Sequence, residues 1–340
     1  MSKEEERLVD YSKENEEEFS FNLSLRPKNL AEFIGQKEII SSLRIAIEAA
    51  KKRGEPLEHI LLSGPPGLGK TSLAYCIAYE MDTRIVATSG PAIERAGDLV
   101  GILTNLEKAD ILFIDEIHRL SKVVEEFLYP AMESFKIDFV VDKGPYAKSI
   151  RFNLKPFTLI GATTRKGLLS APLRGRFGIF FDFDFYELEE LILIIKRSAQ
   201  LLKIKIDEES AYEIASRSRG SPRLANRLLR RVRDYVQVMG EERITLKRVK
   251  QALEKIRIDS SGLDELDRRY LRAIIEIHKG GPVGIEAIAA SLGEDKGTLE
   301  DVVEPYLLKK GFIRRTPRGR IATPLSFEHL NIKRSDKIFS

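Results

Sequence analysis

The chain has 340 residues, 43% of them hydrophobic and 32% charged, with a formal net charge of +4 and a single cysteine, Cys76. That length exceeds one compact core and implies two or three domains, and the balance is that of a globular protein. It excludes an internal disulfide framework, and no apolar run approaches the ~20 residues of a membrane span.

Charge is unevenly spread: residues 1–19 carry eight acids against three bases, and residues 309–340 nine bases against two acids. The acidic start lacks the apolar stretch of a secretory leader and reads as a flexible, solvated tail over 1–20. The basic end has no amphipathic apolar face, which favours nucleic acid over membrane, although solubility alone also accounts for such charge. One cysteine and no leader fit a reducing cytoplasm.

From 21 to 186, short apolar runs alternate with helical patterns, as in an α/β layer built on a parallel sheet. The first run, His59 to Ser63, leads into Gly64-Pro65-Pro66-Gly67-Leu68-Gly69-Lys70-Thr71. This is a complete phosphate-binding loop, with a strand before it and a helix after it. Its glycines let backbone N–H groups curl around anionic oxygens, and the helix start adds a positive dipole end. Gly67, Leu68, Gly69, Lys70, Thr71 and Ser72 form the expected ATP/ADP cradle; Lys70 neutralises β- and γ-phosphate charge and Thr71 offers its hydroxyl to Mg²⁺.

After a second run, Arg84 to Thr88, a third, Ile111 to Ile114, ends in Asp115-Glu116. Two carboxylates at the end of a buried strand fall at the sheet edge that also carries the loop. Asp115 is the expected Mg²⁺ ligand and Glu116 the general base that polarises water. Taken alone, the pair also describes a helix cap. His118 either relays the nucleotide state or packs on a helix surface.

Two β-rich runs flank Lys143-Gly144-Pro145, which predicts a hairpin; its lightly charged tip suits a protein partner, with Ile150 as anchor. An internal sheet edge is the other reading. The run Phe157 to Gly161 ends in Ala162-Thr163-Thr164-Arg165, where either Thr163 or Thr164 orients the lytic water or senses the γ-phosphate. The loop Pro172 to Gly178 holds two arginines. Arg176 is favoured, and Arg174 second, as a guanidinium inserted into a neighbouring subunit's nucleotide; a surface salt bridge is the plain alternative.

From 187 to 257 the pattern is helical: Glu187 to Leu202, Asp207 to Arg217, Ser221 to Met239 and Thr245 to Ile256, with Asp207 and Thr245 as N-caps and Gly240 as a stop. Arg223, after Gly220-Ser221-Pro222, is placed to reach nucleotide from this lid. Over 258–340, three short helical segments precede Gly311-Phe312-Ile313 and Arg320-Ile321-Ala322-Thr323, which flank Thr316-Pro317-Arg318-Gly319. Three helices and a two-stranded wing make a winged helix-turn-helix. The expected fold is thus a P-loop α/β core with a parallel sheet, a helical lid domain and a C-terminal winged-helix domain.

Together these pieces resemble the AAA+ ATPases and, among them, the RuvB family, over roughly residues 21–330. The likeness is carried by Leu25-Arg26-Pro27-Lys28-Asn29-Leu30 with Phe33-Ile34-Gly35-Gln36, Thr88-Ser89-Gly90-Pro91, and Leu128-Tyr129-Pro130-Ala131-Met132-Glu133. Gly161 to Arg165, Arg223-Leu224-Ala225-Asn226-Arg227 and the wing Arg315 to Arg320 complete it. Clamp loaders share the loop, the Asp-Glu strand and the inserted arginine but not this wing; a clamp-loader-like ATPase is the alternative.

The resemblance implies an ATP-hydrolysing motor that forms a hexameric ring on duplex DNA and drives Holliday junction branch migration with RuvA, and with RuvC alongside. It implies that Leu25 and Arg26 line the adenine pocket, that Glu133, Ser134 and Phe135 lie at the nucleotide, and that Tyr186 contacts nucleotide at a domain junction. Lys296, Arg315 and Arg320 would contact DNA, and the hairpin with Ile150 would dock on RuvA. Two positions depart from the family: Ser134 and Gly175 stand where acidic residues are usual, and Gly175 is expected to loosen the loop holding Arg176. A transcriptional regulator and a non-hydrolysing scaffold are the competing classes. The chain has no evident receiver domain, which opposes the first, and Glu116 opposes the second.

Overall fold

The computed structural model describes residues 24–140 and 149–333; the acidic tail and the Lys143-Gly144-Pro145 tip lie outside the described residues. Packing divides the chain into two units, one comprising residues through Gly64 with Leu68–Asp184, the other Pro65–Gly67 with the chain from Phe185 onward.

The first unit begins with α1 (Lys37–Arg53), β1 (Ile60–Ser63), α2 (Lys70–Met81), β2 (Ile85–Ser89), α3 (Ala96–Thr104), β3 (Ile111–Asp115) and α4 (Lys122–Ser134). It continues with β4 (Lys136–Val140), β5 (Ser149–Asn153), β6 (Thr158–Thr163), α5 (Ala171–Arg174) and β7 (Ile179–Asp182). Five strands form one parallel sheet in the order β2-β3-β6-β1-β7. β1 and β6 are buried along their whole length and β3 up to Ile114, as expected of strands covered on both faces. Four of the five, β1, β2, β3 and β6, coincide with the apolar runs of the sequence. β7 does not, because Phe180 and Asp182 face outward, so the run is neither uniformly apolar nor long.

One face of the sheet closes over a core that includes Leu112, Ile114, Leu128, Phe157, Leu173 and Phe177. His59 ties its lower edge together. Its Nδ1 accepts from the Leu159 N–H at 2.9 Å, which leaves Nε2–H to donate to the Met132 carbonyl at 3.1 Å. Burial lowers the pKa of this ring, and Phe135 and Phe157 pack against it. The expected hairpin is present as the antiparallel pair β4–β5, with Phe139 opposite Ile150 in register.

The second unit contains α6 (Leu188–Leu201), β8 (Lys205–Ile206), α7 (Glu208–Ser216), α8 (Pro222–Val238), β9 (Arg243–Ile244) and α9 (Leu246–Lys255). Each helix starts one residue inside the expected bound, because Glu187, Asp207, Ser221 and Thr245 are N-caps. The Asp207 carboxylate accepts from the Ser210 N–H at 2.8 Å, whereas Thr245 makes no side-chain cap bond. After α8, Gly240 takes the left-handed conformation that stops the helix.

The winged region follows: α10 (Glu265–Arg272), α11 (Ile285–Leu292), α12 (Lys296–Thr298), α13 (Glu304–Lys309), β10 (Ile313–Thr316), β11 (Gly319–Ala322) and α14 (Pro324–His329). β10 and β11 pair antiparallel, with Thr316 opposite Gly319 across a two-residue turn. Leu271, Ile274, Ile288, Leu307, Phe312 and Phe327 are among its buried core.

A buried polar clasp joins lid to winged region within this unit. Arg219, 7% exposed, donates through Nε to the Gly262 carbonyl at 2.6 Å, pairs with Asp264 at 2.9 Å and with Asp267, and lies 5.7 Å from the Tyr306 ring. Burial pushes Asp267 up to about 7, against the pull of Arg219 and aided by Asp264, while Asp264, despite its own burial, is held low chiefly by Arg219.

A carboxyl whose folded pKa is raised contributes stability that is present below its unfolded value and lost as pH rises through the folded one. An asparagine at position 267 mimics the protonated acid at every pH. The melting temperature of wild type should therefore fall relative to Asp267→Asn as pH rises from the ordinary carboxyl value of 3.8 to about 7. A constant gap between the two melting curves across that window would show that Asp267 does not titrate there.

Candidate active site and DNA interface

The phosphate loop grows out of β1. Its first N–H, Gly64, donates to the Thr163 carbonyl of β6 at 3.2 Å, and Phe183 N–H donates back to Ser63 at 2.7 Å. Gly64 lies at φ 137°, and a Cβ there would meet the Phe183 carbonyl oxygen at 2.5 Å, so only glycine fits. Gly69 (φ 98°) caps α2 in the left-handed conformation, which aims the helix N-terminus into the loop. Lys70 is buried and donates through Nζ to the Gly64 carbonyl at 2.7 Å, arching over the turn. Leu68 is buried beneath it, and Thr71 and Ser72 are half-buried at the helix start.

β3 delivers the acids to the same sheet edge. Asp115 accepts from the Glu116 N–H at 2.9 Å, and Glu116 takes the left-handed conformation, φ 48° and ψ 44°. Thr164 donates its hydroxyl to Glu116 at 3.2 Å. The structure separates the two threonines that sequence leaves equivalent. Thr164 is half-buried and touches the carboxylate. Thr163 is fully buried, 2.9 Å from His118 Nδ1, and accepts from the Arg165 N–H at 3.0 Å. His118 Nδ1 also lies 3.2 Å from Glu116. A carboxylate only accepts, so that contact is favourable when Nδ1 carries the proton. His118 therefore joins the acid to the tip of β6 and is not a surface packing residue.

Arg174 is exposed at the end of α5, while Arg176 is half-buried, 3.0 Å from Glu133 and bonded to the Pro172 carbonyl at 2.7 Å. The loosening expected from Gly175 is not seen. Its φ is −67°, open to any residue, and its N–H donates to the Ala171 carbonyl at 3.0 Å. Glu133, Ser134 and Phe135 are placed beside Arg176 and the hairpin root rather than in the cradle. Glu133 pairs with Arg176, Ser134 donates to the Pro130 carbonyl at 3.0 Å, and the Phe135 ring is turned inward onto Phe157.

Leu25 is buried, and the Arg26 guanidinium lies 5.4 Å from the centre of the Tyr75 ring. In the second unit, Tyr186 is buried with its N–H on the Gly220 carbonyl at 2.9 Å, and Arg223 is exposed at the start of α8.

The wing holds its expected DNA cations in different surroundings. Glu304 is fully buried, and Arg320 (Nε, 2.7 Å), Arg315 (Nε, 2.9 Å) and the Tyr270 hydroxyl (2.5 Å) all donate to it. Burial pushes the Glu304 pKa up, and these bonds more than reverse it. Arg320, with only 15% of its side chain exposed and also 3.4 Å from Glu300, holds the wing onto α13. Arg315 is half exposed, and Lys296 is exposed, 3.0 Å from Glu286. Arg314 and Arg318 are exposed on the wing as well. The sequence reading did not single them out, because strand register, which turns one arginine in and the next out, is not visible in a run of basic residues.

Among the described residues, no group of three or more His, Cys, Asp or Glu forms a metal cage, and no helix is long and apolar enough to cross a membrane. Mg²⁺ in a phosphate loop needs few protein ligands, because substrate phosphate and water complete its shell. The half-buried Thr71 hydroxyl and Asp115 are a donor set of that kind.

A parallel sheet with a glycine cradle at one strand end and an Asp-Glu pair at the next but one, followed by a helical lid and a winged region, defines a P-loop ATPase of the AAA+ class. Three family models match consecutive parts of the chain: the Holliday junction DNA helicase RuvB P-loop domain over 25–183, the RuvB AAA lid domain over 186–259 and the RuvB C-terminal winged helix domain over 260–331. The Holliday junction branch migration complex subunit RuvB of Staphylococcus saprophyticus is 56% identical over 333 residues, 98% of this chain and 99% of that protein. The solved Thermotoga maritima RuvB Holliday junction branch migration motor is 53% identical with a TM-score of 0.85, covering 91% of this chain and 99% of that one. A proline-to-glycine variant of the same protein gives 54% and 0.86. The chain belongs to the RuvB family.

Proposed function

We infer that this chain is the ATP-driven motor of Holliday junction branch migration, translocating duplex DNA as a hexameric ring together with RuvA, and with RuvC as a further partner. The observation that carries the reading is the cradle of Gly64–Thr71 on the same sheet edge as Asp115, Glu116 and Thr164, in a chain matched by RuvB models over 25–331. The clamp-loader alternative is not favoured.

Lys70 and the loop N–H groups hold the β- and γ-phosphates. Thr71 and Asp115 hold Mg²⁺, which when bound neutralises developing phosphate charge. Glu116 takes the proton of the attacking water, and Thr164 and His118 fix its carboxylate. Leu25 and Arg26 line the adenine pocket, Tyr186 contacts nucleotide, Arg223 reports from the lid, and Arg176 serves the neighbouring subunit's nucleotide. Lys296, Arg315 and Arg320 contact the DNA backbone, and the β4–β5 hairpin with exposed Ile150 docks on RuvA. Phosphate contacts suit a motor that must move on any sequence, so binding should be salt-sensitive and sequence-tolerant.

The test is a gel assay with a synthetic four-way junction, ATP, Mg²⁺ and RuvA. Conversion to duplex products should occur with wild type and vanish with Lys70→Ala. Junctions left intact by the wild-type protein under all conditions would overturn branch migration and return clamp loading to consideration.

A further inference from the structure

Arg176 is held in place before it acts. Its guanidinium lies over the Tyr129 ring, 4.3 Å from the centroid, while NH1 donates to the Pro172 carbonyl at 2.7 Å and NH2 sits 3.0 Å from Glu133. Tyr129 is itself fixed. Its hydroxyl donates to Glu125 at 2.9 Å, and the Ser170 hydroxyl donates to the same oxygen at 2.6 Å. Glu125 is only 6% exposed. Ser170 is also the N-cap of α5, accepting from the Leu173 N–H at 3.3 Å, so the network grips the turn that leads to Arg176.

Core packing does not call for this arrangement: an apolar side chain at 129 would fill the space without a buried acid and two hydroxyls. What the network achieves is orientation. A free arginine spreads over many rotamers, whereas a planar guanidinium stacked on an immobile ring is confined to one plane. Tyr129 and Glu133 both belong to the Leu128–Glu133 stretch, for which the chemistry of the chain's own cradle has no use.

We propose that Tyr129, fixed by Glu125 and Ser170, is the positioning residue that presents Arg176 to the nucleotide of the adjacent subunit. This rests on the reading of Arg176 as the residue that acts on a neighbour. Tyr129 touches no reacting atom; it sets the angle of a side chain that does. Misplacing a transition-state contact by about 1 Å costs ~100-fold in rate, so losing the platform should be felt in kcat and not in KM.

The experiment uses mixed rings of full-length protein. Subunits carrying Glu116→Gln keep an intact Arg176 but cannot hydrolyse; subunits carrying Arg176→Ala keep an intact cradle but lend no guanidinium. Each alone is silent, and the mixture recovers ATP turnover. Adding Tyr129→Leu to the Glu116→Gln partner should cut the recovered kcat by about 10–100-fold at unchanged KM. Adding it to the Arg176→Ala partner should leave the recovered rate in place, because that subunit has no Arg176 to aim. Tyr129→Phe in the Glu116→Gln partner keeps the ring face, folds conservatively, and should give a smaller loss.

Equal losses in the two arms would mark Tyr129 as merely structural and overturn the proposal, as would no loss in either. If the mixture without Tyr129 substitutions stays silent although sedimentation shows mixed rings, the neighbour-acting reading of Arg176 fails and the proposal falls with it.

Discussion

Glu116→Gln should bind ATP as wild type does and hydrolyse it about 10²–10⁴-fold more slowly, the range of a lost general base. Glutamine keeps the length and shape of the side chain, and its carbonyl oxygen still accepts from the Thr164 hydroxyl that reaches Glu116 at 3.2 Å. What it cannot do is accept a proton. The cradle is built from other atoms, the loop N–H groups and Lys70, so nucleotide affinity should stay within a few-fold. Lys70→Ala removes the buried ammonium from the loop and should lose binding and turnover together. Titration with a fluorescent ATP analogue and a single-turnover hydrolysis assay read the two quantities separately. Equal single-turnover rates for wild type and Glu116→Gln would dismiss the base assignment.

Removing Arg176 should have the other large effect, a fall of about 10³–10⁵-fold in turnover, the usual worth of an inserted arginine. Within its own subunit the guanidinium is committed to Tyr129, Glu133 and the Pro172 carbonyl, so the loss should be confined to assembled rings. Below the assembly concentration, Arg176→Ala and wild type should turn over alike. The stability cost should be modest, on the order of 0.5–1 kcal/mol for one partly exposed cation–π contact. Arg174→Ala is the control: exposed at the end of α5, it should change turnover only slightly. Reversed magnitudes for the two arginines would exchange their roles.

What was legible in the sequence is what local chemistry dictates. The cradle could be read because its glycines, lysine and threonine must sit at fixed offsets between a strand and a helix. The lid helices could be read because Asp207 and Thr245 mark two of their starts, although only Asp207 makes a side-chain cap bond. Buried strands showed as apolar runs, and the wing showed as two short runs around a tight turn. What escaped depends on partners far along the chain. β7 is a half-exposed edge strand, and the β8–β9 pair is two residues long on each side. Nothing in residues 315–320 reveals that Glu304 draws Arg320 inward. Thr163 and Thr164 are chemically alike, and only the twist that buries one and leaves the other beside Glu116 tells them apart. The Tyr129 platform was visible only as part of a stretch typical of a family, with no clue to its purpose.

The left-handed backbone at Glu116 carries an evolutionary implication. For a residue with a Cβ, that conformation costs about 1–2 kcal/mol. Glycine would adopt it freely, and asparagine nearly so, yet neither supplies a carboxylate of the right reach. Glutamate at this position therefore carries backbone strain that either replacement would relieve. A descendant freed from the need to hydrolyse ATP would drift toward Gly or Asn at this position and become hardier as it fell silent.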